Sequence, residues 1–430
     1  MKLTTHHIPK LVLIDHEFQV PLDHTKPNGD HLSVFAREVA TTDRENDKLP
    51  WLVFLQGGPG IQSPRLDNNH EQWWTRATKE YRVLLLDQRG TGRSTPVNFQ
   101  SLARLARPQA QADYLKLFRA DSIVRDCELI RTELIGTEKW STLGQSYGGF
   151  CTATYLSIAP EGLRESIITG GLPPIRQTPD DVYRATYKRV LGKNQKYYAR
   201  YPDDIARARD IADFLMKNDV RFPNGDRFTV GRFQDLGKNF GASNGLEFVH
   251  YLLEIAFIEG AHGREINLAF LRGVENQSIY DTNPIYVMLQ EACYTQHAAS
   301  NWSAHRLLAE YPQFDVTKND VVQFTGEMMY PKEFDDYQAL RPLKEAANIL
   351  AEYADWPNLY DVKVLQANEV PVAATIYWDD MYVERAYAEE AASLIRGCKT
   401  WVTNEYEHNA LRADGERVLD RLLGMLHGNS

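Results

Sequence analysis

A serine hydroxyl is a poor nucleophile at neutral pH. It needs a base to take its proton and a carboxylate to orient that base. The stretch Leu143-Gly144-Gln145-Ser146-Tyr147-Gly148-Gly149-Phe150 offers such a serine. Gly-x-Ser-x-Gly is the pattern of a sharp strand-to-helix turn that lifts the hydroxyl above a sheet, with Gly144 and Gly148 keeping neighbouring backbone clear. Glycine and serine also fill ordinary turns, so the pentapeptide draws its weight from its flanks. Residues 140–143 read as a short strand, and 150–158 as an apolar helix closed by Pro160.

In α/β-hydrolases the partners follow in the chain order serine, acid, histidine, at strand ends. Past Asp380 two histidines remain, His408 and His427. His427 falls at the frayed end of the last helical run, where solvent reaches it. His408 directly follows the strand expected over 399–404, which makes it the base candidate. The acid is Asp379 or Asp380, where the strand over 370–378 ends. A loop histidine and a helix-capping aspartate are the plain alternatives. No His-Glu-x-x-His occurs, which argues against a metallopeptidase. Neither a metal nor a cofactor is expected.

These residues need a scaffold, and the chain has the length for one. It has 430 residues, 43% hydrophobic and 25% charged, an ordinary globular composition. A net charge of −10 gives no support for binding nucleic acid or an anionic membrane. No apolar run approaches the roughly 18 residues of a membrane span. Cys127, Cys151, Cys293 and Cys398 lie far apart without a Cys-x-x-Cys pair, as expected for reduced thiols in the cytoplasm.

Short β-like runs on either side of Pro27-Asn28-Gly29-Asp30 predict an opening hairpin. The continuous apolar run 51–55 predicts a strand buried on both faces, ending in Gln56-Gly57-Gly58-Pro59-Gly60. A second buried strand covers 81–86, a helix 121–134, and a short strand 166–171. After Pro174 the alternation stops. Residues 175–350 carry amphipathic helical runs, including 246–258 and 343–353, and predict a mainly helical lid. The strand–helix rhythm resumes late, with a helix over 382–396 and a final one that Asp414 can cap. The expected class is α/β: a mostly parallel central sheet with an N-terminal antiparallel hairpin, and a helical lid inserted between nucleophile and acid. The expected division is core 1–174, lid 175–350 and core 351–430.

Four motifs together resemble the proline iminopeptidases (prolyl aminopeptidases), serine peptidases of the α/β-hydrolase fold. They are Gly57-Gly58-Pro59-Gly60, the run from Asp87-Gln88-Arg89-Gly90 to Gly92-Arg93-Ser94, Gly144-Gln145-Ser146-Tyr147-Gly148-Gly149, and Asp380-Met381. The resemblance covers both arms of the core and is thin in the lid. It departs at Gln56, where many members carry histidine, which bears on the packing of the oxyanion loop. The resemblance implies release of N-terminal proline from short peptides by a Ser146–His408–Asp380 triad. Asp380 is chosen over Asp379 because it directly precedes Met381. The Gly58 and Tyr147 backbone N–H groups would stabilise the oxyanion. Lid glutamates would hold the substrate's protonated amine; Glu291 and Glu327 are the choices, with Glu254 and Glu259 as rivals. An esterase or amidase of small acyl compounds, or a binding protein on the same scaffold, are the other readings.

Overall fold

Eleven strands are described: β1 (Lys2–Ile8), β2 (Leu11–Pro21), β3 (His31–Thr41), β4 (Trp51–Leu55), β5 (Arg82–Leu86), β6 (Trp140–Gln145), β7 (Leu163–Thr169), β8 (Phe257–Gly260), β9 (Gly263–Ile266), β10 (Val372–Tyr377) and β11 (Cys398–Thr403). They come from a computed structural model that describes residues 2–66, 72–261, 263–277 and 279–428. Nine of them join one sheet in the order β1-β2-β3-β5-β4-β6-β7-β10-β11. β1, β2, β3 and β5 pair antiparallel; from β5 through β11 every pairing is parallel.

The central strands separate two apolar layers with the period of two that a pleated strand imposes. Val53, Leu55, Leu84 and Leu86 face one layer, which contains Phe150 and Tyr155 of the helix Tyr147–Ile158. Leu52, Phe54, Val83 and Leu85 face the other, with Leu419 and Leu422 of the helix Gly415–His427. That explains why residues 51–55 are apolar without interruption: both faces are covered.

Among the described elements between β7 and β10, none joins this sheet. They are mainly helices, including Pro179–Arg200, Asp204–Lys217 and Lys344–Glu352. The helix expected over 246–258 is shorter, Gly245–Glu254, and its last residues instead begin the separate hairpin β8–β9. Gly263, at φ +98°, supports the tight return, and the Arg264 guanidinium lies 3.6 Å from the Phe257 ring centroid across it. One further expectation is corrected. Asp414 precedes the last helix but its side chain accepts from the Tyr406 hydroxyl at 2.5 Å instead of capping. His427 is exposed to solvent as expected, and its Nε2 lies 3.2 Å from Glu165.

The run from Asp87 to Ser94 is an ionic knot beneath the loop that follows β4. Asp87 accepts from the Ser63 and Arg93 backbone N–H groups at 3.1 and 2.8 Å, and from Arg65 at 2.9 Å. Arg89 is fully enclosed; it donates to Asp126 at 2.7 Å and to the carbonyls of Leu22 and Leu117. Buried charges are tolerated because each is paired and hydrogen-bonded. Gln88 Nε2 reaches the Gln56 carbonyl at 3.1 Å, tying the knot to that loop.

Ser146 lies between β6 and the helix Tyr147–Ile158 at φ 55°, ψ −122°, a conformation costly for any non-glycine residue. Two bonds hold it: Ser146 N–H to the Thr169 carbonyl at 2.9 Å, and Gly149 N–H to the Ser146 carbonyl at 2.7 Å. The turn also requires Gly148, where a Cβ would lie 1.8 Å from the Leu55 carbonyl oxygen. Gly148→Ala should therefore lower the thermal unfolding midpoint by several degrees or leave the protein insoluble, because the obstruction is backbone. Gly192→Ala, inside the helix Pro179–Arg200 with nothing within 4 Å of the added carbon, should raise it slightly. Equal melting curves for Gly148→Ala and the parent protein would contradict this account of the turn.

Candidate active site

Parallel strands deliver their C-terminal ends to one edge of a sheet, where loops can bring distant residues together. Here β6, β10 and β11 end at Ser146, Asp380 and the loop bearing His408. His408 Nε2 lies 2.9 Å from Ser146 Oγ, and His408 Nδ1 lies 2.7 Å from Asp380 Oδ2. A carboxylate only accepts, so Nδ1 carries the proton and Nε2 presents its lone pair to the serine. Asp380 Oδ1 accepts from the backbone N–H groups of Tyr382 and Val383 at 2.8 and 3.1 Å. The His408 ring packs 4.8 Å from that of Tyr382, and its backbone N–H donates to the Gly241 carbonyl at 3.1 Å. Asp379 points elsewhere, pairing with Lys196 and lying 3.6 Å from Arg189.

Ser146 and His408 open on a cavity of about 160 Å³, also lined by Gly57, Gly58, Lys238, Tyr286, Glu327 and Arg412. Gly57 abuts the serine, since a Cβ there would lie 3.0 Å from Ser146 Cβ. Its N–H is engaged by Gln56 Oε1 at 2.9 Å, while Gln56 Nε2 donates to the Gln62 carbonyl at 3.3 Å. Gln56 thus ties both ends of its own loop. Tyr147 opens its helix, so its N–H belongs to the first-turn donors that have no intrahelical acceptor.

The cavity separates the two chosen glutamates. Glu327 lines it and accepts a hydrogen bond from the Tyr286 hydroxyl. Glu291 does not line it. It is buried elsewhere, accepting from the Ser303 and Ala304 backbone N–H groups at 3.1 and 3.0 Å, at the start of the helix Ser303–Leu307. The rivals stand apart as well: Glu254 lies 3.5 Å from His250 and Glu259 sits on the exposed strand β8. Sequence reasoning missed Lys238, Tyr286 and Arg412, which carry no motif and reach the cavity only through tertiary packing. Among the described residues no cluster of three or more His, Cys, Asp or Glu side chains could hold a metal ion.

Two ion pairs tie the helix Pro179–Arg200 to the neighbours of the acid and the base. Lys193, almost fully buried, meets Glu407 at 2.5 Å, and Lys196 meets Asp379. Glu407 precedes His408 and Asp379 precedes Asp380.

Glu327 is reached by water only in part, and protein encloses the rest. Desolvation pushes its carboxyl from the usual 4.5 up to about 7, against the lowering effect of the Tyr286 hydrogen bond. A carboxyl whose pKa is raised by folding binds its proton more tightly in the native state. The stability it contributes is complete below about pH 4.5 and is lost as pH rises through about 7. Glu327→Gln should therefore weaken the fall in thermal stability between pH 5 and 8. An unchanged pH dependence of melting would contradict the assignment.

An α/β-hydrolase fold family model matches residues 50–216. The chain is 50% identical over 409 residues to the proline iminopeptidase of Aeromonas sobria, covering 95% of each chain. It is 35% identical over 419 residues to proline iminopeptidase aneH of Aspergillus aculeatus, covering 95% of this chain and 92% of that one. With a mostly parallel sheet, an antiparallel N-terminal edge and this extent of identity, the chain belongs to the proline iminopeptidase family of the α/β-hydrolase fold.

Proposed function

We propose that the protein is a serine aminopeptidase that releases proline from the N-terminus of short peptides. The observation that carries the reading is a hydrogen-bonded chain, Ser146–His408–Asp380, that opens on the same small cavity as the carboxyl of Glu327. A serine with base and orienting carboxylate is equipped for acyl transfer. A half-enclosed carboxylate nearby is equipped to hold a cation. The names of the relatives point the same way.

In this mechanism Ser146 Oγ attacks the prolyl carbonyl while His408 Nε2 takes its proton. Asp380 holds the imidazole in the required tautomer and balances the imidazolium. The oxyanion is stabilised by the backbone N–H groups of Tyr147 and Gly58; the Gly57 N–H is already engaged by Gln56. His408 then hands the proton to the departing amine, leaving a prolyl ester on Ser146. Water, activated by the same histidine, hydrolyses that ester. Glu327 pairs with the protonated imino nitrogen, which places the carbonyl over Ser146. Residues 175–350 act as the lid that supplies Glu327, Tyr286 and Lys238, over core segments 1–174 and 351–430. The four cysteines are free, and we place the enzyme in the reducing cytoplasm.

Ser146→Ala should lose nearly all turnover while remaining folded. Asp380→Asn should lose about three to four decades of kcat, whereas Asp379→Asn should be mild; the reverse ranking would move the acid by one residue. Chromogenic prolyl, alanyl and N-acetylprolyl substrates test the amine site. Glu327→Gln should raise KM and lower kcat/KM for the free prolyl substrate by about two to four decades, the effect of removing the partner of a desolvated charge. Comparable cleavage of N-acetylprolyl and free prolyl substrates by the parent enzyme would sink the aminopeptidase reading and favour an esterase or amidase.

A further inference from the structure

Two described cations line the Ser146 cavity, Lys238 and Arg412. They differ in occupation. Lys238 lies over the Tyr280 ring, donates to its hydroxyl and sits 3.8 Å from Asp235. Arg412 is exposed in the short helix Ala410–Ala413, four residues after His408, and no hydrogen bond or ion pair joins its guanidinium to a described residue. Burial holds the Tyr377 and Tyr382 phenols, which pack around His408, well above the usual phenol range, and Arg412 lies close enough to oppose that effect in part.

Arg412 also belongs to a second cavity of about 250 Å³, lined by Phe54, Pro64, Trp73, Trp74 and Leu411. The two cavities share Gln56, Gln145 and Arg412. Glu327 lines the first cavity alone. This gives the site a polarity. An amine held at Glu327, with its carbonyl at Ser146, sends the rest of the peptide toward the wall shared with the aromatic cavity. A guanidinium with no partner among the described residues stands on that wall.

We propose that Arg412 receives a carboxylate on the leaving side of the scissile bond, with the aromatic cavity taking the side chain of the residue that follows proline. A guanidinium offers paired N–H donors in the geometry of a carboxylate, and it provides local attraction on a protein whose net charge of −10 otherwise repels anions. The carboxylate has two sources: the C-terminus of a Pro-X dipeptide, or an acidic side chain at the second position of a longer peptide. The inference rests on the aminopeptidase reading.

The test compares kcat/KM within pairs that differ only in the carboxylate: Pro-Leu against Pro-Leu-amide, and Pro-Glu-amide against Pro-Gln-amide. The parent enzyme should favour the charged member of at least one pair by about tenfold or more, as expected for a charge-assisted hydrogen bond. Arg412→Met should bring that ratio to near one, and Arg412→Lys should restore part of it. Preference confined to the first pair identifies the C-terminal carboxylate; preference confined to the second identifies the side chain; either upholds the subsite. Ratios near one in both pairs for the parent enzyme, or a preference that survives Arg412→Met, would overturn it. Prolyl p-nitroanilide separates the two readings. If the parent enzyme cleaves it but shows no carboxylate preference, the subsite alone fails; if the parent enzyme does not cleave it, the aminopeptidase reading fails.

Discussion

The structure depends on how closely backbone can approach backbone around one serine. Ser146 keeps its left-handed conformation because three strands determine it together. β6 delivers it, the Thr169 carbonyl at the end of β7 accepts its N–H, and the Leu55 carbonyl at the end of β4 packs where Gly148 has no side chain. A conformation that costs energy persists only where its surroundings over-determine it. The same contact brings the loop after β4 against Ser146, so the elbow and the loop bearing Gly57 and Gly58 are built by one packing event.

Charge is distributed around that point according to how well each group is satisfied. Asp380 is buried beside three donors: two backbone N–H groups and the His408 ring. Asp87 and Arg89 are satisfied within their own knot. Glu327 has one hydroxyl partner and a raised pKa, the state of a group whose remaining partner is not protein. The ion pairs at Glu407 and Asp379 are unequal in consequence. Lys193 is buried, so losing Glu407 would strand a desolvated charge. Lys196 is more than half exposed, and its pair with Asp379 is of the weak surface kind.

Much of this was legible in the sequence, for identifiable reasons. The elbow could be read because only glycine fits its flanks, and β4, β5 and β10 because burial on both faces demands largely apolar runs. That His408 and Asp380 would come together with Ser146 could be read because chain order and strand ends restrict the candidates. The helical character of the segment between β7 and β10 was legible in class and not in detail. Its helices are short and irregular, β8–β9 borrows an apolar run that also has helical period, and β1 lacked a clear alternating signal. Glu291 looked as eligible as Glu327 because a carboxylate that caps a helix and one that faces a cavity have the same local sequence character. What separates them is the set of backbone donors that meets one of them and not the other, which only the folded chain reveals.

His408 reaches Ser146 across 262 residues of chain. During synthesis the serine and its elbow emerge long before His408, and Asp380 follows the helical insertion. A nascent chain therefore carries an exposed serine with no partner, chemically no more reactive than any other alcohol. The Lys193 and Lys196 contacts add a further condition, because they join the helix Pro179–Arg200 to residues translated about two hundred positions later. The hydrogen-bonded chain of Ser146, His408 and Asp380 thus closes as one of the last events in the life of the new polypeptide, after the helical segment tied to its neighbours has emerged.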